Sequence, residues 1–239
     1  MNKEEFFETI SNYAKQIDIE FSEEQKNQLF TYMNLLLEWN EKINLTAITD
    51  PEEVILKHLI DSITISKYIK QNCYVADIGT GAGFPGIPLK ILREDMEIVL
   101  VDSLNKRINF LNEVIETLKL QKIKTVHARA EDFGHDKQYR EKFDIVTSRA
   151  VANLATLSEY LIPLTKVGGK CLCMKGPEIE EELHNAKKAI SFLGGTVTNV
   201  HIFNLPSSDI GRTVVEIEKT KPTVNKYPRK AGMPSKEPL

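Results

Sequence analysis

The chain predicts an α/β fold: a Rossmann-like seven-stranded sheet, its last two strands antiparallel, with an N-terminal helical extension. Three observations lead there. From residue 74 onward, short apolar runs alternate with helical patterns, as in a parallel sheet covered on both faces. The first run opens YVADIGTGAGFPGIPL (Tyr74–Leu89), a strand, a glycine turn and a helix N-terminus in succession. Near the end, Thr196–Phe203 and Arg212–Glu218 are joined by Leu205–Gly211, too short for a helical crossover, so these strands pair antiparallel.

Residues 1–70 read as a helical cap. Phe6, Phe7, Ile10, Tyr13, Ala14 and Ile17 form one stripe. Ser22 to Gln25 has the capping-box pattern, and Leu29, Met33, Leu36 and Leu37 continue that helix's apolar face. Asp50-Pro51 starts a third helix, on which His58 and Asp61, three apart, share a face. Trp39 to Thr46 between them reads as a helix stop and packed loop. Residues 71–219 form the central domain. Its strands are expected at 74–78, 97–102, 124–128, 143–148 and 169–174, and its helices near 85–93, 105–118, 152–162 and 178–192. A basic tail, 220–239, follows.

The ligand of the glycine turn is argued from charge. Gly81 to Gly86 fits GxGxxG, which admits a dinucleotide. Asp77 opposes it, because a carboxylate about 5 Å from a phosphate charge costs on the order of 3 kcal/mol at an effective dielectric of about 20. A P-loop fails because Ile87-Pro88 stands where Lys-Ser/Thr is required. S-adenosylmethionine has no phosphate, and its ammonium and sulfonium suit Asp77, directly or through water. Asp102, ending the next strand, is placed to take two ribose hydroxyls.

Composition bounds the rest. No apolar run approaches a membrane span, and the start lacks a signal-peptide pattern, so a cytoplasmic protein with no membrane contact is expected. Cys73, Cys171 and Cys173 have no zinc spacing, which predicts reduced, inert thiols and no metal site. Net charge is -3, but the tail carries +4 and the remainder -7. That asymmetry fits a chain touching a polyanion at one place, or a disordered solubilising end.

Ligands of such sheets lie beyond the carboxyl ends of the strands. That rule selects Asp77, Gly79, Gly81, Phe84, Asp102, Ala130, Glu131, Arg149 and Lys175. Glu131 suits an adenine amino group, with Ala130 offering a backbone contact. Arg149 suits either the donor's methionine carboxylate or the acceptor, and with Lys175 it is expected to line the acceptor pocket. Lys106, Arg107, Arg212, Lys226, Arg229 and Lys230 are expected to meet the phosphates of a polyanion.

Taken together, these motifs resemble the bacterial small-subunit ribosomal RNA (guanine-N7-)-methyltransferase G family, also called glucose-inhibited division protein B. The likeness covers nearly the whole chain. It rests on Trp39-Asn40 through Asn44-Leu45-Thr46, His58 through Asp61-Ser62, the Asp77–Gly86 turn, Asp102-Ser103, Lys106-Arg107, Arg129-Ala130-Glu131, Ser148-Arg149-Ala150 and Lys226-Tyr227-Pro228-Arg229. It implies a class I S-adenosylmethionine-dependent methyltransferase fold, that donor, and guanine N7 in the decoding region of 16S rRNA or the small ribosomal subunit as acceptor. It also implies that Gly79, Phe84, Ala130, Glu131 and Arg149 contact the donor.

Guanine N7 already offers a lone pair, so no proton need be removed. That agrees with Ser148-Arg149-Ala150-Val151 standing where an amino-group methyltransferase carries Asn/Asp-Pro-Pro-Tyr. A nicotinamide oxidoreductase, a methyltransferase of small molecules or proteins, and a non-catalytic assembly factor remain as alternatives. Oligomeric state stays open, with a monomer expected.

Overall fold

A computed structural model describes residues 1–239. Helices α1 (Lys3–Lys15) and α2 (Glu23–Asn40) each begin with a capping box, Asn2 with Glu5 and Ser22 with Gln25. Each box satisfies backbone donors that a first helical turn leaves unpaired. The inward stripes are Phe6, Ile10 and Ala14 on α1, and Leu29, Tyr32, Met33 and Leu36 on α2. A third helical run, α3, starts at Pro51–Val54 behind the Asp50 cap. It widens into a π-helical turn at Ile55–Ile60 and closes through Asp61–Ile63 and a 3-10 stretch, Thr64–Tyr68. Such widened turns recur at functional sites, and this one carries His58 toward the cavity described below.

The sheet contains β1 (Tyr74–Ile78), β2 (Glu97–Asp102), β3 (Ile123–His127), β4 (Phe143–Arg149), β5 (Thr165–Lys175), β6 (Gly195–Asn204) and β7 (Gly211–Lys219). Their order is β3-β2-β1-β4-β5-β7-β6. β1 to β5 are parallel, and β7 runs antiparallel between β5 and β6. The short connection between the last two strands thus forms the expected hairpin. β5 begins earlier than its apolar run, at Thr165, because it takes in Gly168 and Gly169 at an irregularity opposite Phe143.

Helices α4 (Gly86–Leu92), α5 (Asn105–Thr117), α6 (Ala130–Phe133), α7 (Leu154–Leu161) and α8 (Glu180–Leu193) cover the sheet. Alternation along the strands builds a core on each face. Val75, Ile98 and Leu100 join Phe6, Leu29 and Leu59 in one core, so the N-terminal helices share their core with the sheet. Ala76, Val99 and Val101 join Leu157, Ile190 and Tyr227 in the other.

The tail packs here too, ending in the short helix α9 (Met233–Lys236). It is therefore not a loose solubilising end. No helix is long and apolar enough to cross a membrane.

Candidate active site

The carboxyl ends of β1, β2 and β4 open into a cavity of about 710 Å³, within the range of small-molecule sites. Gly79, Gly81, Phe84, Asp102, Arg107, Ala130, Glu131 and Arg149 all line it. Gly79 (φ +69°), Gly81 (φ +61°) and Gly83 (φ +100°) require left-handed backbone, which glycine adopts without steric cost. A Cβ on Gly79 would lie 2.6 Å from Val151 Cγ2. At Gly81 it would meet nothing, because the loop there borders open cavity.

Asp102 ties the second strand to this loop. Its Oδ2 accepts hydrogen bonds from the Gly81 amide (2.9 Å) and Arg107 Nη1 (3.2 Å), and its Oδ1 accepts from the Leu104 amide (2.9 Å). An ionised carboxylate retains lone pairs for ligand hydroxyls beyond these bonds. Arg107 also lines the cavity, drawn in by Asp102, and its buried Nε has no partner in the protein. Its expected position is corrected from the outer surface to the cavity rim.

Asp77 requires a second correction. It does not line the cavity but is fully buried behind the loop. Its Oδ2 accepts from Thr80 Oγ1 (2.6 Å) and the Gly86 amide (2.9 Å), so the turn wraps around the carboxylate; Oδ1 has no partner. Direct contact with the donor gives way to a role in shaping the loop. Burial pushes its pKa up to about 6, against the lowering effect of Thr80 and Gly86.

A proton is therefore bound more tightly by the folded chain than by the unfolded one. The contribution of Asp77 to stability falls as pH rises from about 4 to about 6. At 1.36 kcal/mol per unit this amounts to up to about 3 kcal/mol. Subtracting the Asp77→Asn melting profile from that of the wild type should reveal this fall; parallel profiles would show that the carboxylate titrates normally.

On the other side of Phe84 lies a cluster that the sequence motifs suggested only in pieces. The Arg149 guanidinium sits 4.9 Å from the centre of the Phe84 ring, and the His58 ring stacks on the same phenyl at 4.5 Å. Arg149 Nη1 donates to the Lys57 carbonyl (3.0 Å) and Asp61 Oδ2 (3.2 Å), and Nη2 donates to His58 Nδ1 (3.2 Å). His58 Nε2 meets Thr46 Oγ1 at 2.7 Å. Burial, then the Arg149 charge, pulls the His58 pKa down to about 3, so the ring is neutral. Nδ1 also lies 3.1 Å from the Lys57 carbonyl, so both ring nitrogens are engaged within the protein.

Thr46 is placed by the loop after α2, where Asn40 Oδ1 accepts from the amides of Leu45 (2.8 Å) and Thr46 (2.9 Å). The predicted packed loop thus delivers a cavity residue. Tyr32 of α2 likewise donates its hydroxyl to the Ala82 carbonyl in the glycine loop.

Arg149 also borders a second cleft, of about 610 Å³, with Lys57, Asp61, Lys175, Glu182 and Arg212. Lys175 Nζ donates to the Ala152 carbonyl (2.6 Å) and pairs with Glu182 (2.6 Å). Arg212 Nε donates to Asp61 Oδ2 (3.0 Å). Arg212 is therefore held at the cleft by Asp61.

The Arg229 guanidinium is engaged by the buried carboxylate of Glu159 (2.7 Å). Lys106, Lys226 and Lys230 are exposed. Thr46, His58 and Asp61 are functional candidates that strand-end reasoning missed, since they come from the N-terminal helices. Asn40 and the shared helix face of His58 and Asp61 were the available signals.

The cysteines are buried, and burial pushes the Cys171 thiol up to about 12, which leaves it unreactive.

An α/β sheet with β7 reversed and an acid-flanked glycine loop over the first two strand ends defines a class I S-adenosylmethionine-dependent methyltransferase. The fold is shared with a SAM dependent methyltransferase from Aquifex aeolicus (TM-score 0.53, 17% identity, 76% of this chain and 97% of that one). It is also shared with M. jannaschii TYW2 in complex with AdoMet (TM-score 0.52, 16% identity, 66% and 76%).

The chain belongs to the rRNA small subunit methyltransferase G (GidB) family, whose model matches residues 25–210. A ribosomal RNA small subunit methyltransferase G of Desulforamulus reducens is 53% identical over 97% of both chains. One of Acetivibrio thermocellus is 54% identical over 95% of this chain and 93% of its own. The protein is an S-adenosylmethionine-dependent methyltransferase.

Proposed function

We propose that this chain transfers the methyl group of S-adenosylmethionine to N7 of a guanine in the decoding region of 16S rRNA, free or in the small ribosomal subunit. The observation that carries this reading is the state of the groups where the two cavities meet. Asp61 is shared by Arg149 and Arg212, Glu182 is paired with Lys175, and neutral His58 turns Nδ1 toward Arg149. The two carboxylates thus serve as counter-ions to the cations of the cluster. That suits a nucleophile already carrying a lone pair, as guanine N7 does.

When bound, S-adenosylmethionine supplies an electrophilic methyl on a cationic sulfur. The residues that would hold it are Gly79 and Gly81 at the loop, Asp102 at the ribose, and Ala130 and Glu131 at the adenine. Ala130 opens α6, so its N–H has no carbonyl of its own helix to meet. Phe84 and Arg149 separate this site from the acceptor cleft.

That cleft carries Lys57, Arg149, Lys175 and Arg212 against Asp61 and Glu182, an excess of positive charge that favours an RNA acceptor. Catalysis then consists of holding the base in line with the methyl. Well-positioned pairs gain up to about 7–11 kcal/mol this way. An rRNA acceptor implies a cytoplasmic location.

Labelling of 16S rRNA with the radioactive donor, followed by mapping of 7-methylguanine, tests the proposal. The expected result is one labelled guanine in the decoding region; label on an exocyclic amine or on protein would reverse it. Replacing Lys106, Lys226 and Lys230 together with alanine should reduce the log–log salt slope of RNA binding by about 2. An unchanged slope would remove these lysines from the interface.

A further inference from the structure

We infer that the C-terminal segment Arg229–Ser235 is a working wall of the donor site, in which the Gly232 amide orients Glu131 toward the donor's adenine. Gly232 and Ser235 line the same cavity as Asp102 and Glu131. The Gly232 N–H donates to Glu131 Oε1 at 2.8 Å, which leaves the other carboxylate oxygen for an amino group. The Tyr160 hydroxyl faces the same carboxylate and Ser235.

The segment is held firmly enough to do this. The Arg229 backbone amide (2.6 Å) and side-chain Nε (3.0 Å) both donate to Glu159 Oε1, and Nη2 reaches Oε2 at 2.7 Å. Upstream, Arg140 Nη1 donates to the Tyr227 carbonyl (2.7 Å) and Nη2 to that of Thr223 (2.9 Å). Downstream, Thr156 Oγ1 donates to the Pro234 carbonyl (2.9 Å).

Two glycines make the route possible. A Cβ at Gly134 would lie 2.7 Å from Pro228 Cγ, and Gly232 turns the chain with φ +82°. Glu131 and Gly232 are 101 residues apart, so no motif could have joined them. Placed across the cavity, the segment is positioned through Glu131 to set which base it accepts. Gly232 is a positioning residue, acting through Glu131.

The inference rests on the donor site assigned above, and the test separates the two. A chain ending at residue 231 keeps Arg229, Tyr227 and their anchors. It should bind S-adenosylhomocysteine at least 10-fold more weakly by calorimetry, while S-inosylhomocysteine, which lacks the amino group, should lose markedly less. A merely structural role would weaken both equally, and that outcome, or no change, overturns the inference.

Asp102→Ala in the full chain is the control. If it abolishes donor binding while truncation has no effect, only the tail's role falls; if it too has no effect, the donor site itself is misplaced. Should the shortened chain not fold, hydrogen exchange on the full chain decides. The amides of Gly232, Met233 and Ser235 should slow when S-adenosylhomocysteine binds, and unchanged exchange overturns the proposal.

Discussion

Replacing Arg149 with alanine is expected to lower kcat for methyl transfer to 16S rRNA by at least about 10²-fold, the cost of a misplacement of about 1 Å at the reacting centre. The guanidinium lies against Phe84, is bonded to Asp61, His58 and the Lys57 carbonyl, and borders both cavities. Its loss frees the partition between donor and acceptor. Arg149→Lys should not restore activity, because an ammonium lacks the planar fork that reaches three partners and lies flat on a phenyl ring.

The ratio of effects assigns its side. A fall in kcat with little change in donor Kd places Arg149 with the acceptor, whereas a parallel rise in donor Kd places it with the methionine carboxylate. Full transfer together with unchanged donor affinity would remove it from the site.

Asp61→Ala should lower stability markedly. Asp61 is 2% exposed and neutralises Arg149 and Arg212 together. Leaving a buried charge without its partner costs about 3–5 kcal/mol. Against this, Asp61 Oδ1 is buried without a partner, and its removal relieves about 1–3 kcal/mol. The cation term is larger. A net loss of about 2 kcal/mol in a chain of this size lowers Tm by about 4–8 °C.

The double variant Asp61→Ala/Arg149→Ala discriminates the cause. If uncompensated charge is responsible, removing the arginine as well should recover part of the loss, so that the two changes are not additive. A double variant no more stable than Asp61→Ala alone would assign the loss to packing.

Much of the fold was legible residue by residue. β1 and β2 begin and end where their apolar runs do, at Tyr74–Ile78 and Glu97–Asp102. Asp50 caps a helix with Pro51 in its first turn, as that dipeptide predicts. β5 was expected only from residue 169 but starts at Thr165, because pairing with β4, which no local pattern shows, holds the earlier residues in the sheet. The four-residue helix α6 was missed because so short a helix has no periodicity to detect.

Within the site, Gly79, Gly81, Asp102, Ala130 and Glu131 follow from strand-end position and line one cavity. Asp77, two residues before Gly79, was placed on that wall by the same rule, and the direction of its side chain put it behind the loop instead.

By itself, then, the amino-acid order determined the succession of strands and helices and the left-handed glycine turn, because periodicity, capping and backbone freedom act over a few residues. Only the tertiary structure decided which bases are paired with carboxylates inside the protein. Arg149 finds Asp61 across 88 residues, Arg212 finds it across 151, and Arg229 finds Glu159 across 70. A charge's partner is settled by what folding brings within about 3 Å of it, and no local pattern carries that distance.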